Sequence, residues 1–247
     1  MSGLNIVDAE SREFAADEAT AFVENVWSSL NCRWVSRPSC IRQAQQKLWQ
    51  LRLASELGFK IPKTLVTNDP EALPKFWEEC RGQVIYKTIG RNQIRGEDGK
   101  FRSAYTNKLN ADFLERRTEI GLAPCLFQGY AEKRVELRIT VVGNRAFTCE
   151  IHSQRSERTR IDWRKYDIPN TPHLPARLPS DIEEKCLRLV RDLGLNFGAI
   201  DMIVTPEGDY VFVEINPNGQ WLWIEQLTGL PIGDALFDLL TGTKPLT

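Results

Sequence analysis

VFVEINPNGQWLWIEQ, residues 211–226, reads as a strand that ends in polar residues and passes at once into an aromatic, helix-forming run. Val211, Val213 and Ile215 are β-branched and Phe212 is aromatic, the side chains that fit a pleated, half-buried surface. Glu214 interrupts this apolar run, and a carboxylate is costly to bury unless a charge faces it. Strand side chains repeat with period two, so Asn216 presents its amide to the same side as Glu214. One strand end thus offers a carboxylate oxygen beside an amide oxygen, and hard cations take oxygen ligands.

Working backwards, FGAIDMIVT (197–205) and DYVFVEIN (209–216) flank Pro206–Gly208, which predicts a hairpin. Pairing through that turn brings Asp201 opposite or near Glu214. Two carboxylates at that distance repel unless a cation or a proton intervenes. A magnesium ion bridging phosphate oxygens is one resolution; a solvated hairpin whose carboxylates pair with nearby arginines is the other. Lys87 ends the apolar run VIYK, and Lys47 lies mid-helix in AQQKLWQLRLA. Each reads equally as a solvated lysine. There is no GxxxxGK[ST] phosphate loop. The loop 90–99 carries Gly90, Gly96 and Gly99, whose amides can fold over phosphates or simply turn a hairpin.

The remaining pattern mixes helices with hairpins. Phe14, Phe22, Val26 and Leu30 recur at helical spacing, and a second helix is predicted from Pro38 to Leu57, before Gly58. Strands follow at 61–67, 83–89 and 125–130, with helices over 69–80 and 110–120. VELRITVVG and RAFTCEIH meet at Gly143-Asn144, a two-residue hairpin signal. Pro169, Pro172, Pro175 and Pro179 mark an irregular connection before a helix at 180–193. The last helix, opened by Trp221 and Trp223 packed as core, is cut by Gly229-Leu230-Pro231 and resumes to Leu240. Hairpins and helices without strict alternation predict an α+β fold.

At 247 residues the chain can bury a sizeable core, and a formal charge of −1 gives no global field for nucleic acid or anionic membrane. The one basic run, RSERTRIDWRK at 155–165, has only Trp163 and Tyr166 as aromatic company, too little for an RNA surface. No apolar run approaches the roughly 20 residues that span a bilayer, and the polar, acidic MSGLNIVDAESREF is not a secretory signal. Cys32, Cys40, Cys80, Cys125, Cys149 and Cys186 are scattered, and His152 and His173 are the only histidines, so a reduced cytoplasmic setting without zinc is expected.

The order of these signals carries more than any one of them. Lysine on a helix, lysine ending a strand, a glycine-containing loop, then ELR on a strand, then Asp and Glu-x-Asn on a hairpin resembles the ATP-grasp fold, in which two α+β lobes bind a nucleotide between them. The closer resemblance is to ATP-grasp peptide maturases of the microviridin type, in KLWQLRLASELGFKIPKTLVTNDP, VIYKTI, LFQGYAEKRVELRITVVGNRAFTCEIHSQ, DWR at 162–164 and VFVEINPNGQWLWIEQLTGLPI.

The resemblance implies a site. Lys47 and Lys87 would hold the α- and β-phosphates of ATP. Leu126, Phe127, Gln128 and Gly129 would form the hinge that meets adenine, and Glu132 would reach the ribose. Arg138 and Arg164 would face the γ-phosphate and an acyl phosphate, with Asp201, Glu214 and Asn216 as the Mg²⁺ ligands. Such a ligase would activate Asp or Glu side chains of a precursor peptide and join them to its Ser, Thr or Lys groups. A leader segment of the peptide would dock away from the reacting site. The resemblance also allows a homodimer, a non-catalytic peptide-binding subunit, or a ligase that adds amino acids to a protein tail. Residues 1–46 would be a helical remnant of the domain that usually comes first. Residues 47–247 would be the ATP-grasp domain, with the smaller lobe at 61–125 and the larger at 126–247.

Overall fold

The computed structural model describes residues 8–90, 93–96, 99–103 and 105–242. Arg91, Asn92, Glu97 and Asp98 of the glycine-containing loop lie outside the described residues, as do residues 1–7 of the N-terminal stretch. The chain forms two compact units, divided between Trp34 and Val35. The first holds one helix, α1 (Ala9–Ser29), capped by Asp8, which accepts from the Ser11 amide at 2.6 Å and the Ser11 hydroxyl at 2.8 Å. None of its residues is buried.

The second unit begins with α2 (Pro38–Ala44) and α3 (Lys47–Glu56), then β1 (Thr64–Thr67), α4 (Ala72–Glu79) and β2 (Val84–Lys87). Val35 to Gln46, which the sequence groups with the N-terminal helix, therefore belong to this unit. A small ribbon follows, β3 (Gln93–Arg95) and β4 (Phe101–Ser103), then β5 (Asn107–Lys108), α5 (Ala111–Glu115) and β6 (Cys125–Gly129). The second half runs β7 (Val135–Val142), β8 (Arg145–Ile151), β9 (His173–Ala176), α6 (Ser180–Asp192), β10 (Phe197–Val204), β11 (Tyr210–Asn216), α7 (Leu222–Thr228) and α8 (Ile232–Thr241). Among the described residues no helix is long and apolar enough to cross a membrane.

Two antiparallel sheets organise this unit, in the orders β1-β6-β2-β5 and β11-β10-β7-β8-β9. The smaller sheet has its own core, where Phe127 and Val84 meet Leu73 and Phe76 of α4. The larger sheet packs Leu137, Ile139, Ile200 and Phe212 against Leu51 and Ala54 of α3 and Leu189 of α6. Strand β6, from Cys125 to Gly129, is an interior strand of the smaller sheet, between β1 and β2. Both predicted hairpins form. Val142 pairs Arg145 across Gly143, whose φ of 58° suits the first turn position of a II′ hairpin. At the β10–β11 turn Gly208 takes φ 90° and donates to Thr205 O at 3.0 Å.

Three local expectations change. The helix predicted over 38–57 breaks at Gln45–Gln46, which makes Lys47 the first helical residue instead of a mid-helix one. Tertiary structure overrides propensity there: the Gln50 amide donates to Ala44 O (2.6 Å) and Ile215 O (2.8 Å), and its oxygen accepts from Ile215 N (3.1 Å). Strand β11 is a sheet edge, and Gln50 pairs its backbone as another strand would, while Phe212 N donates to Lys60 O at 2.8 Å further along. The proline-rich connection contains an edge strand, β9, whose outer position tolerates the amide that Pro175 lacks. The glutamate strand does turn through side-chain chemistry: Asn216 Oδ1 accepts from Asn218 N at 3.2 Å.

Candidate functional site

The β10–β11 register sets Asp201 opposite Glu214 and Ala199 opposite Asn216, with a bulge between Asp201 and Met202. A bulge turns the strand and re-aims its side chains; here both Val213 and Glu214 line a narrow cleft of about 60 Å³ that lies between the two sheets. Glu214 also borders a larger cavity of about 510 Å³, together with Asn216, Lys47, Lys87, Thr88 and Arg164. That volume lies within the range of small-molecule sites. Among the described residues no three His, Cys, Asp or Glu side chains gather as a metal cluster. Asp201, Glu214 and Asn216 instead supply two carboxylates and an amide, all oxygen donors.

The charges around Glu214 come from both lobes. Lys47 begins α3, which packs on the larger sheet; its Nζ donates to Thr88 O at 2.7 Å and lies 3.8 Å from Glu214 Oε2. Lys87 ends β2 of the smaller sheet. Burial pushes its ammonium below the ordinary lysine range, Glu214 opposes that shift, and Lys47 and Arg164 add to it. Burial works against charge on Glu214, but Lys87, Lys47, Arg164 and Arg138 outweigh it and hold the carboxyl below its usual range. Asp201 goes the other way: burial raises it, Arg138 offsets part of the rise, and facing Glu214 adds to it. One carboxylate is held charged, and its neighbour is the one pushed toward a proton; a bound cation would favour the charged form of both.

The two arginines are placed differently. Arg164 lines both cavities, and its Nη1 approaches Glu214 Oε1 at 3.5 Å. Arg138 lines neither. It stands opposite Asp201 on β7, donates from Nη1 to both Asp201 oxygens (3.0 and 3.1 Å), and reaches Gln220 O from Nη2 at 3.3 Å. Arg138 is therefore a counterion buried behind Asp201 rather than a group facing the cavity. Gly219 makes room for it, since a Cβ there would fall 2.6 Å from Arg138 Nη2 and would overlap Ala199 Cβ.

Of the four residues expected to form the hinge, only Gln128 and Gly129 line the cleft. Leu126 and Phe127 are buried, Phe127 in the core of the smaller lobe, and as part of a central strand β6 spends its backbone groups on β1 and β2. Neither residue lines the cleft. Gln128, Gly129, Tyr130 and Ala131 do, with the chain leaving the sheet after the Tyr130 amide donates to Gln83 O at 2.8 Å. Glu132 is exposed and borders neither cavity. Gln128 donates to Thr64 Oγ1 at 3.1 Å, while its own Oε1 is buried without a hydrogen-bond partner among the described residues. An orphaned buried acceptor in a cleft is what a ligand donor would satisfy.

Sequence reasoning passed over several lining residues. Lys133 and Glu136 pair at 2.8 Å at the far end of the cleft, their signal being only an i,i+3 spacing. Trp163 also lines it and stacks with Trp223 at 5.3 Å, so the tryptophan that reaches the site is Trp163. Trp221 and Trp223 are half-buried against the core beneath α7 and α8. Asp162 and Thr106, which hold Arg164, gave no signal beyond the DWR triplet.

No protein-family model matches the chain. A solved structure of a Chryseobacterium gregarium RiPP-associated ATP-grasp ligase, in complex with ADP and a leader and core peptide, is 38% identical. The match covers 97% of this chain and 72% of that one, with a TM-score of 0.88. The macrocyclase MdnC from Microcystis aeruginosa MRC, bound with precursor peptide MdnA, is 31% identical over 99% of this chain and 75% of its own, with a TM-score of 0.85. N-acetylaspartylglutamate synthase A of Homo sapiens is 24% identical over 222 residues, 87% of this chain and 54% of that protein. The chain thus spans about half the length of the curated relatives it matches.

Proposed function

Since this chain belongs to the RiPP-associated ATP-grasp ligases and has their α+β, two-lobed fold, we propose that it is an ATP-dependent carboxylate ligase acting on a precursor peptide. It activates Asp or Glu side chains of that peptide as acyl phosphates and joins them to Ser, Thr or Lys groups as ester or amide crosslinks. The observation that carries this reading is the meeting of Lys47, from the helix α3 packed on the larger sheet, and Lys87, from β2 of the smaller sheet, at one cavity of about 510 Å³ that Glu214 also lines, its carboxyl held charged by both. Phosphoryl transfer asks the protein mainly for positioning and charge stabilisation. The lysines hold the phosphates as compact point charges. The orphaned Gln128 oxygen and the Tyr130–Ala131 segment take the base at the far end of the cleft. Arg164 takes the anionic end where the peptide carboxylate arrives.

Asp201, Glu214 and Asn216 are the residues that would hold Mg²⁺, and the oxygen donor set fits that hard cation. Bound there, it would neutralise charge on the triphosphate. A homodimer and a cytoplasmic setting belong to the same reading, and sedimentation velocity tests the first.

The test is phosphate release from ATP and Mg²⁺ in the presence of a leader-plus-core peptide rich in Thr, Ser or Lys and in Asp or Glu. Release should depend on the peptide and vanish in Lys87→Ala and Glu214→Ala while circular dichroism is unchanged. Full activity in either variant would sink the assignment.

A further inference from the structure

Asp162 lies in the long β8–β9 connection of the larger lobe and is 4% exposed. Capping its own short turn requires one acceptor, for the Arg164 amide at 3.1 Å. Its carboxylate does more. Oδ1 also takes Arg164 Nε at 2.9 Å, and Oδ2 takes Arg164 Nη2 at 2.7 Å. The same Oδ2 accepts at 3.0 Å from the backbone amide of Thr106, which is buried and leads into β5 of the smaller sheet. The Thr106 hydroxyl in turn lies 3.4 Å from Arg164 Nη2. One buried carboxylate therefore joins the two lobes across the cavity and fixes the guanidinium that borders Glu214. Asp162 stays charged in this setting: burial opposes it, but the hydrogen bonds and charge of Arg164 and the Thr106 amide outweigh that.

We propose that Asp162 is a positioning residue that couples closure of the smaller lobe to the placement of Arg164. With the lobes closed, Thr106 occupies one side of the carboxylate and leaves Arg164 a single bidentate arrangement, aimed into the cavity. With the lobes apart, Oδ2 loses the Thr106 amide and Arg164 loses the hydroxyl beside it, so the Asp162–Arg164 pair is held less firmly in its cavity-facing arrangement than when the cleft is shut. The role given to Arg164 rests on the ligase reading above; the link between Thr106 and Arg164 does not.

The experiment compares the purified chain with Asp162→Ala, Asp162→Asn, Arg164→Ala and the double Ala variant. Amide hydrogen exchange over residues 105–109 reads closure, and calorimetric binding of Mg²⁺ with a non-hydrolysable ATP analogue reads Arg164. Loss of a charge-assisted bond is worth roughly tenfold or more. Asp162→Ala should raise exchange at Thr106 about tenfold, while Arg164→Ala leaves it protected. Asp162→Asn keeps one neutral acceptor, so exchange should stay near wild type while affinity falls as in Arg164→Ala. Both single Ala variants should weaken the analogue by about tenfold, and the double variant should be no weaker than either, the non-additivity expected of groups acting as one unit. Additive losses, or unchanged Thr106 exchange in Asp162→Ala, would overturn the coupling. If Asp162→Ala does not fold, the Asn variant carries the test: analogue affinity equal to wild type in it overturns the coupling. If the wild type does not bind the analogue, the ligase reading fails and the exchange comparison alone decides the coupling.

Discussion

Gln50→Ala should be among the most damaging single changes outside the cavity charges. Gln50 is 3% exposed and serves Ala44 O, Ile215 O and Ile215 N. Truncation leaves those groups without the amide, in surroundings where Ala44 and Ile215 are 0% and 2% exposed. A buried polar group left unpaired costs about 1–3 kcal/mol; three of them, partly relieved by relaxation, give roughly 3–6 kcal/mol. Since a whole domain is stable by only about 5–15 kcal/mol, the variant should be marginal. Urea unfolding followed by tryptophan fluorescence measures this, as a fall in midpoint at constant slope. Ile215 sits between Glu214 and Asn216, so whatever fraction folds should also bind nucleotide poorly. A loss below about 1 kcal/mol at unchanged slope would refute the reasoning, because it would mean that β11 does not depend on this amide to complete its edge.

Gly219→Ala should lower the melting temperature. Its new methyl must push the 219–220 backbone off Arg138 and Ala199, at about 1–3 kcal/mol for overpacking, and a wild-type melt would contradict the close approach. The lowered Glu214 carboxyl makes stability depend on acidity: its pairing is intact above the ordinary value of 4.5 and is lost as pH falls through the lower folded value. Glu214→Gln should therefore flatten the stability profile below pH 4.5, and a slope there equal to wild type would remove Glu214 as its cause. Cys149 and Cys186 are fully buried, and burial pushes both thiols up to about 12. Iodoacetamide at mildly alkaline pH should leave both intact in the native protein while modifying exposed Cys32. Mass spectrometry that finds Cys149 or Cys186 alkylated without denaturant would contradict that packing.

The part of the site built by local pattern was legible in the chain. Period-two alternation and a Pro-x-Gly turn brought Asp201 near Glu214, because the turn sets the hairpin register; the direct pairing was not legible, since that register alone would face Asp201 with Val213 and the bulge beside Met202 shifts it by one to Glu214. The break before Lys47 was not legible: AQQKLW is good helix sequence, and only Gln50 reaching a strand 165 residues away ends α2 where it does. That Leu126 and Phe127 stand off the cleft was not legible, because strand length does not say which strand will be interior, and an interior strand spends its backbone groups on its neighbours. Arg138 lost its place at the cavity for a similar reason. Its register partner on β10 is Asp201, and a buried guanidinium takes the nearest carboxylate. Thr106 and Asp162 lie 56 residues apart with no shared periodicity, so nothing short of the fold joins them.

The Gln50 clasp has one more consequence. It locks α3 to β11, so Lys47 is fixed to the larger sheet, whereas Lys87 ends β2 of the smaller one. On the reading proposed above, a triphosphate held by both lysines would be a strut between the two sheets. Once one lysine engaged, capture by the other would be intramolecular and governed by effective concentration rather than by encounter. Escape would require both grips to release together. The residence time of the nucleotide would then be a clock for how often the two sheets part.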